Sequence, residues 1–84
     1  MDAIDAVEFN EAFAAQVLAS VQELAIPHEK LNLRGGALAI GHPYGASGAM
    51  LVTRLFHQLL SGQTGLATIG IGGGMGLSTL FRAL

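Results

Sequence analysis

The sequence predicts an α/β fold in the order strand, helix, glycine-rich loop, helix, strand, strand (β-α-loop-α-β-β). Three observations carry that prediction. A helical apolar period runs over residues 11–25, and a second, more strongly apolar one runs from Ser47 to about Ser61. Two short apolar runs, Leu66–Ile71 and Leu77–Leu84, follow them. The stretch Gly72-Gly-Gly-Met-Gly76 between these runs suits a tight hairpin.

Taken in order, Ile4–Phe9 alternates loosely, with Ile4, Ala6 and Phe9 set among Asp5 and Glu8, and reads as a short strand. Asn10 follows as a helix N-cap, and Glu11 in the first turn suits the helix dipole. Phe13, Ala14, Val17, Leu18, Val21, Leu24 and Ala25 form one face of the first helix, with Gln16, Ser20 and Glu23 opposite. Pro27 ends it. Residues 28–46 read as an irregular, glycine-rich segment, and a loop that long in a small domain is usually functional. Ser47 is placed to cap the second helix, where Arg54, His57, Gln58 and Ser61 form a single narrow polar stripe. The rest of that helix is apolar, so burial on most of its circumference is expected. Gly62-Gln-Thr-Gly65 reads as a turn before the two strands.

Composition bounds the function classes. Eighty-four residues make one small domain, and 51% of them are hydrophobic while 12% are charged. Typical soluble domains carry about 25% charged residues, and a chain this short buries only roughly 60–65% of its unfolded surface. A large apolar surface facing another chain or another part of the same fold is therefore expected. The alternative is a compact Ala- and Gly-rich domain, since those residues raise the apolar count cheaply. The net charge of −2, with four scattered basic residues, gives no nucleic-acid footprint. No apolar stretch reaches the ~18 residues of a membrane span. The acidic start lacks the form of a signal peptide, so a cytoplasmic protein is expected. The absence of cysteine removes disulfides, thiolate ligands and cysteine nucleophiles together.

The block Asn32-Leu-Arg-Gly-Gly-Ala-Leu-Ala-Ile-Gly-His-Pro-Tyr-Gly-Ala-Ser-Gly48 sets one imidazole, His42, in a glycine-dense loop that opens onto the second helix. Glycines allow close backbone approach to a ligand. A histidine among them can activate a nucleophile or stabilise an oxyanion, or simply hydrogen-bond the loop. His28 and His57 read as surface residues, and the three histidines lack metal-ligand spacing. Gly70-x-Gly72-x-x-Met75 breaks the dinucleotide fingerprint, and Gly41–Gly48 lacks the lysine of a P-loop.

Asn10-Glu-Ala-Phe13, then Gly35-Gly-Ala-x-Ala-x-Gly-His-Pro-x-Gly-Ala-Ser-Gly48, then Gly65-Leu-Ala-Thr68 followed by Ile71-Gly-Gly-Gly-Met-Gly76, resemble the C-terminal end of a thiolase. The resemblance runs from Asp5 to the last strand. It implies residues 1–84 as the C-terminal part of the thiolase C-terminal domain, with a mixed sheet packed on helices. It implies chemistry on acyl-CoA, Claisen condensation or thiolysis through an acyl-cysteine, with CoA compounds as substrates and neither a separate cofactor nor a metal. By the same resemblance, Asn10 orders a water in one oxyanion hole. His42 activates the nucleophilic cysteine and contributes to that hole, and Gly72 offers its backbone N–H to a second hole.

Two departures from the family pattern stand out. The nucleophilic cysteine belongs to the preceding N-terminal half, and the acid/base cysteine position is occupied by Gly70, which has no side chain to move a proton. The expectation is a fragment inactive alone, with Met1 as an internal start or a split gene. Its expected partners are a separate N-terminal half and further copies of itself. The other reading is a non-catalytic remnant that acts only as an oligomerisation module.

Overall fold

A computed structural model describes residues 1–84. Three strands and three α-helices are present: β1 (Ala6–Phe9), α1 (Ala14–Leu24), α2 (Ala37–Ile40), α3 (Ser47–Gln58), β2 (Thr64–Ile71) and β3 (Met75–Arg82). The sheet order is β1-β2-β3, with β1 parallel to β2 and β2 antiparallel to β3, so the sheet is mixed as expected. The hairpin turn is Gly72–Gly74, and φ of +77° and +78° at Gly73 and Gly74 explains why glycines occupy it.

Alternation along β1 divides the core. Val7 and Phe9 point to one side, where they meet Val17 and Val21 of α1 and Ile26. Ala6 points to the other side, with Ala67 of β2 and Leu51 and Leu55 of α3. The helices thus cover opposite faces of the sheet. No helix is long and apolar enough to cross a membrane.

Several local expectations are corrected. Asn10 does not cap α1. The helix begins at Ala14 after an extended Phe13, with no side-chain cap. Asn10 is still held in the sheet, its N–H donating to the Thr68 carbonyl at 2.9 Å, and this ladder bond keeps residues 10–13 out of the helix. Glu11 therefore lies outside the first turn of α1 as well. Ser47 is the first helical residue of α3, and Ala46 holds the cap position. The long loop is partly regular: a 3-10 turn at His28–Lys30, a parallel bridge from Val7 to Leu31, and the single turn of α2.

The expected burial of α3 is not met within this chain. Only Ser47, Leu51 and Leu55 are buried on it, while Phe56 is 79% exposed. Only 14 of 84 residues are buried, and Phe13, Leu18, Leu77 and Leu80 are also exposed. The apolar surface inferred from composition is therefore present, spread over α1, α3 and β3.

At its other end α1 closes with Ala25 in the left-handed region (φ 52°), the Ile26 N–H donating to the Val21 carbonyl at 3.0 Å. Ile26 then turns into the core beneath Val21, the hydrophobic contact that accompanies such caps. An alanine in this conformation is strained. Ala25→Gly is expected to stabilise the fold by about 0.5–1 kcal/mol after the added flexibility of the unfolded chain is deducted. Urea unfolding checks this, and a lower midpoint for the glycine variant would refute it.

Candidate active site

The site lies at the carboxyl end of the parallel pair β1–β2, where open α/β sheets characteristically bind ligands. Asn10 is the next residue beyond β1 and shares the α3-facing side with Ala6 and Glu8. Its side chain is buried and meets the loop histidine, Asn10 Nδ2 standing 3.3 Å from His42 Nε2. His42 is half-buried, with Tyr44 edge-on to its ring at 4.8 Å between centroids.

Its other nitrogen meets a hydroxyl, and the hydroxyl's second contact favours one tautomer. His42 Nδ1 lies 2.5 Å from Ser47 Oγ, and Ser47 Oγ donates to the Pro43 carbonyl at 3.1 Å. A hydroxyl has one proton. With that proton directed to Pro43, Ser47 accepts from Nδ1–H. Nε2 then carries the lone pair, and the Asn10 amide is oriented to donate to it. The relay runs Asn10 to His42 to Ser47 to Pro43, and its product is a basic nitrogen at the mouth of the site.

The loop that carries His42 is tied down on both sides of Asn10. Asn32 pairs with Phe9 like an added strand, its Oδ1 accepting from the Phe9 N–H at 2.7 Å and its Nδ2 donating to the Phe9 carbonyl at 2.9 Å. Glu11 Oε1 accepts from the Leu38 N–H at 3.2 Å, and its carboxyl group sits against Gly36. From there α2 leads through Gly41, whose φ of +95° turns the chain towards His42.

Behind Asn10, Glu8 is wholly buried against α3. Its Oε2 accepts from Gln58 Nε2 at 3.3 Å. Arg54 Nη1 lies 3.5 Å from Oε1, which accepts no hydrogen bond. Burial pushes the Glu8 carboxyl above its usual value, only partly offset by the Gln58 hydrogen bond and the Arg54 charge.

Of the residues named from the sequence, the structure brings Asn10 and His42 together. Gly70 is placed in the part of β2 that extends past β1, paired with Gly76, and Gly72 in the hairpin turn. His28 and His57 are exposed. Ser47, Asn32, Glu8 and the facing role of Arg54 were not assigned from sequence. Only the Gly-His-Pro-x-Gly-Ala-Ser spacing carried a hint, since it sets Ser47 five residues after His42.

An imidazole from a glycine-rich loop and an amide from the end of β1 thus meet at the end of a parallel strand pair, the pairing that the resemblance to thiolases implies. The family described as "Thiolase, C-terminal domain" matches residues 1–83, and the chain belongs to it. YhfS of Bacillus subtilis, which carries the name of an acetyl-CoA C-acetyltransferase, is 57% identical over 99% of this chain and 24% of its own length. The dimeric peroxisomal thiolase of Saccharomyces cerevisiae superposes with a TM-score of 0.95 at 43% identity, over 99% of this chain and 21% of that one. The Acat5 thiolase of Ascaris suum, solved with coenzyme A, gives 0.94 at 44% identity, over 99% of this chain and 22% of that one. The chain thus spans about a quarter of the length of the relatives it matches.

The Glu8 environment makes stability depend on pH in a defined sense. A raised carboxyl holds its proton longer in the folded state, so its contribution is complete below about 4.5 and is lost as pH rises through the higher folded value. Glu8→Gln keeps an acceptor for Gln58 without the buried charge. Its stability advantage over the parent should therefore be absent in acid and grow above pH 4.5. Denaturation midpoints over a pH series test this, and a difference that stays constant with pH would refute it.

Proposed function

We propose that this chain supplies the imidazole-and-amide half of an acetyl-CoA acetyltransferase site and is inactive by itself. The observation that supports this most strongly is the relay that leaves His42 Nε2 basic beside Asn10. In the working site, Nε2 gives up the Asn10 hydrogen bond and takes the thiol proton of a nucleophilic cysteine supplied by a thiolase N-terminal half. Once protonated, the same Nε2–H becomes a donor next to Asn10, suited to an oxyanion. Gly72 contributes a backbone donor to a second oxyanion position. Gly70 stands where the family carries its acid/base cysteine, so transfer of the α-proton lacks its side chain. The substrates are acyl-CoA thioesters.

Thiolysis of acetoacetyl-CoA is the direct test. The chain alone is expected to show no turnover, and Gly70→Cys is expected not to rescue it, because the nucleophile is still missing. Mixed with a thiolase N-terminal half bearing its cysteine, the chain should promote acetylation of that cysteine by acetyl-CoA. His42→Ala should slow this step by roughly 10²–10⁴-fold. Turnover by the chain alone, or acetylation indifferent to His42, would overturn the proposal.

A second reading is favoured by the exposed apolar surface: a module that associates with copies of itself and does no chemistry. Phe56, Val52 and Leu59 of the α3 side, with Phe81 and Leu84, line a groove of about 510 Å³. On this reading, sedimentation velocity finds dimers or larger species, Phe56→Glu lowers their mass, and the N-terminal half is not bound. A stable monomer excludes it.

A further inference from the structure

We infer that Glu11 is a positioning residue for His42, and that Gly36 is the seat it requires. The inference rests on the reading of His42 as the site base. It adds a residue that touches neither His42 nor any reacting atom.

Two observations on opposite sides of one contact carry it. Glu11 leaves the end of β1 one residue after Asn10, and its Oε1 accepts from the Leu38 N–H in the first turn of α2. On the other side, Gly36 is buried with extended backbone, a conformation open to any residue, so its φ and ψ do not demand glycine. Space does. A Cβ on Gly36 would run into the Glu11 carboxyl group, 2.6 Å from Cδ. The carboxyl group thus fills the volume that any other side chain at position 36 would occupy.

The mechanical path to the imidazole is short. The Gly41 N–H bonds back to the Ala37 carbonyl at 2.7 Å and closes α2 as a single turn, and His42 is the next residue. Fixing Leu38 to Glu11 therefore fixes the start of that turn relative to the residue beside Asn10. Asn32 secures the loop to Phe9 upstream, but four residues, 33–36, separate it from the turn. Glu11 is the nearer constraint. Its effect is to hold Asn10 and His42 within 3.3 Å when they come from elements 32 positions apart.

The test reads the imidazole itself. Two-dimensional ¹⁵N spectra of the histidine rings at mildly alkaline pH are recorded on the folded species of the full chain, with His28 and His57 as exposed internal references. In the parent, His42 is expected as a single tautomer, protonated on Nδ1, unlike the other two. Glu11→Gln keeps the acceptor oxygen and should keep that signature. Glu11→Ala and Gly36→Ala should each lose it, His42 becoming a tautomer mixture like His28 and His57, while circular dichroism stays that of the parent. Parent-like His42 signals in either alanine variant would overturn the inference, as would Glu11→Gln disturbing the ring as much as Glu11→Ala. If Glu11→Ala fails to fold, the comparison of Glu11→Gln with Gly36→Ala decides alone. Should both alanine variants unfold while Glu11→Gln behaves as the parent, Glu11 is a fold determinant and the inference is refuted. No turnover is needed, so a failure of acetyl transfer in the mixed assay would sink the functional reading and leave this result standing.

Discussion

The site depends on one main-chain hydrogen bond, from the Asn10 N–H to the Thr68 carbonyl. It extends the β1–β2 ladder one residue past the strand and keeps residue 10 extended. The period of two then sends Glu8 and Asn10 towards α3 and Phe9 towards α1. Had Asn10 turned into the helix as a cap, its amide would have been spent on the backbone of α1 and His42 Nε2 would have lost its partner. The same bond delays the start of α1 to Ala14, which leaves Glu11 free to reach Leu38. Three consecutive residues thus hold three different things: Phe9 holds Asn32, Asn10 holds His42, and Glu11 holds α2.

The element order and the β2–β3 hairpin were legible in the sequence because apolar period and turn chemistry are local properties, whereas the parallel pairing of β1 with β2 is not a local feature. The helices of 11 and 12 residues both lie inside their predicted windows. What failed were the ends. Asn10 and Ser47 have the right chemistry for caps, but each has another partner that wins: the sheet and His42 for Asn10, and the preceding loop residues His42 and Pro43 for Ser47. His42 and Asn10 were legible through their motifs. The pairing of Asn32 with Phe9, and of Glu8 with Arg54 and Gln58, was not. These contacts link residues from 23 to 50 positions apart, and nothing periodic announces them. Glu8 in particular sits in a loosely alternating strand that gave no sign of its burial, and the sheet is covered on both faces there.

Glu8 also shows what it costs to cover both faces. A carboxylate beneath a helix keeps its charge only against desolvation, and the opposing contributions of Gln58 and Arg54 do not cancel that penalty. In exchange the pair joins β1 to the middle of α3, whose first residue is Ser47. The helix that presents the Ser47 hydroxyl to His42 is therefore located by two contacts of different character. Leu51 and Leu55 set its distance from the sheet, and Glu8 with Arg54 and Gln58 resists sliding along it. The apolar side of α3 away from the sheet is filled by nothing in this chain. A sequence pattern that calls for burial is met by only three buried residues on that helix.

The relay from Asn10 through His42 to Ser47 and Pro43 is assembled from β1 and one loop–helix junction, with no contribution from Gly70 or Gly72. At Gly70 a Cβ would meet no atom within 4 Å, and the backbone there is regular strand. Glycine at that position therefore reflects neither crowding nor a conformation other residues avoid. The scaffold would accept a side chain there. The relay is separable from position 70: the hydrogen bonds that orient the imidazole lie outside the β2–β3 hairpin that carries Gly70.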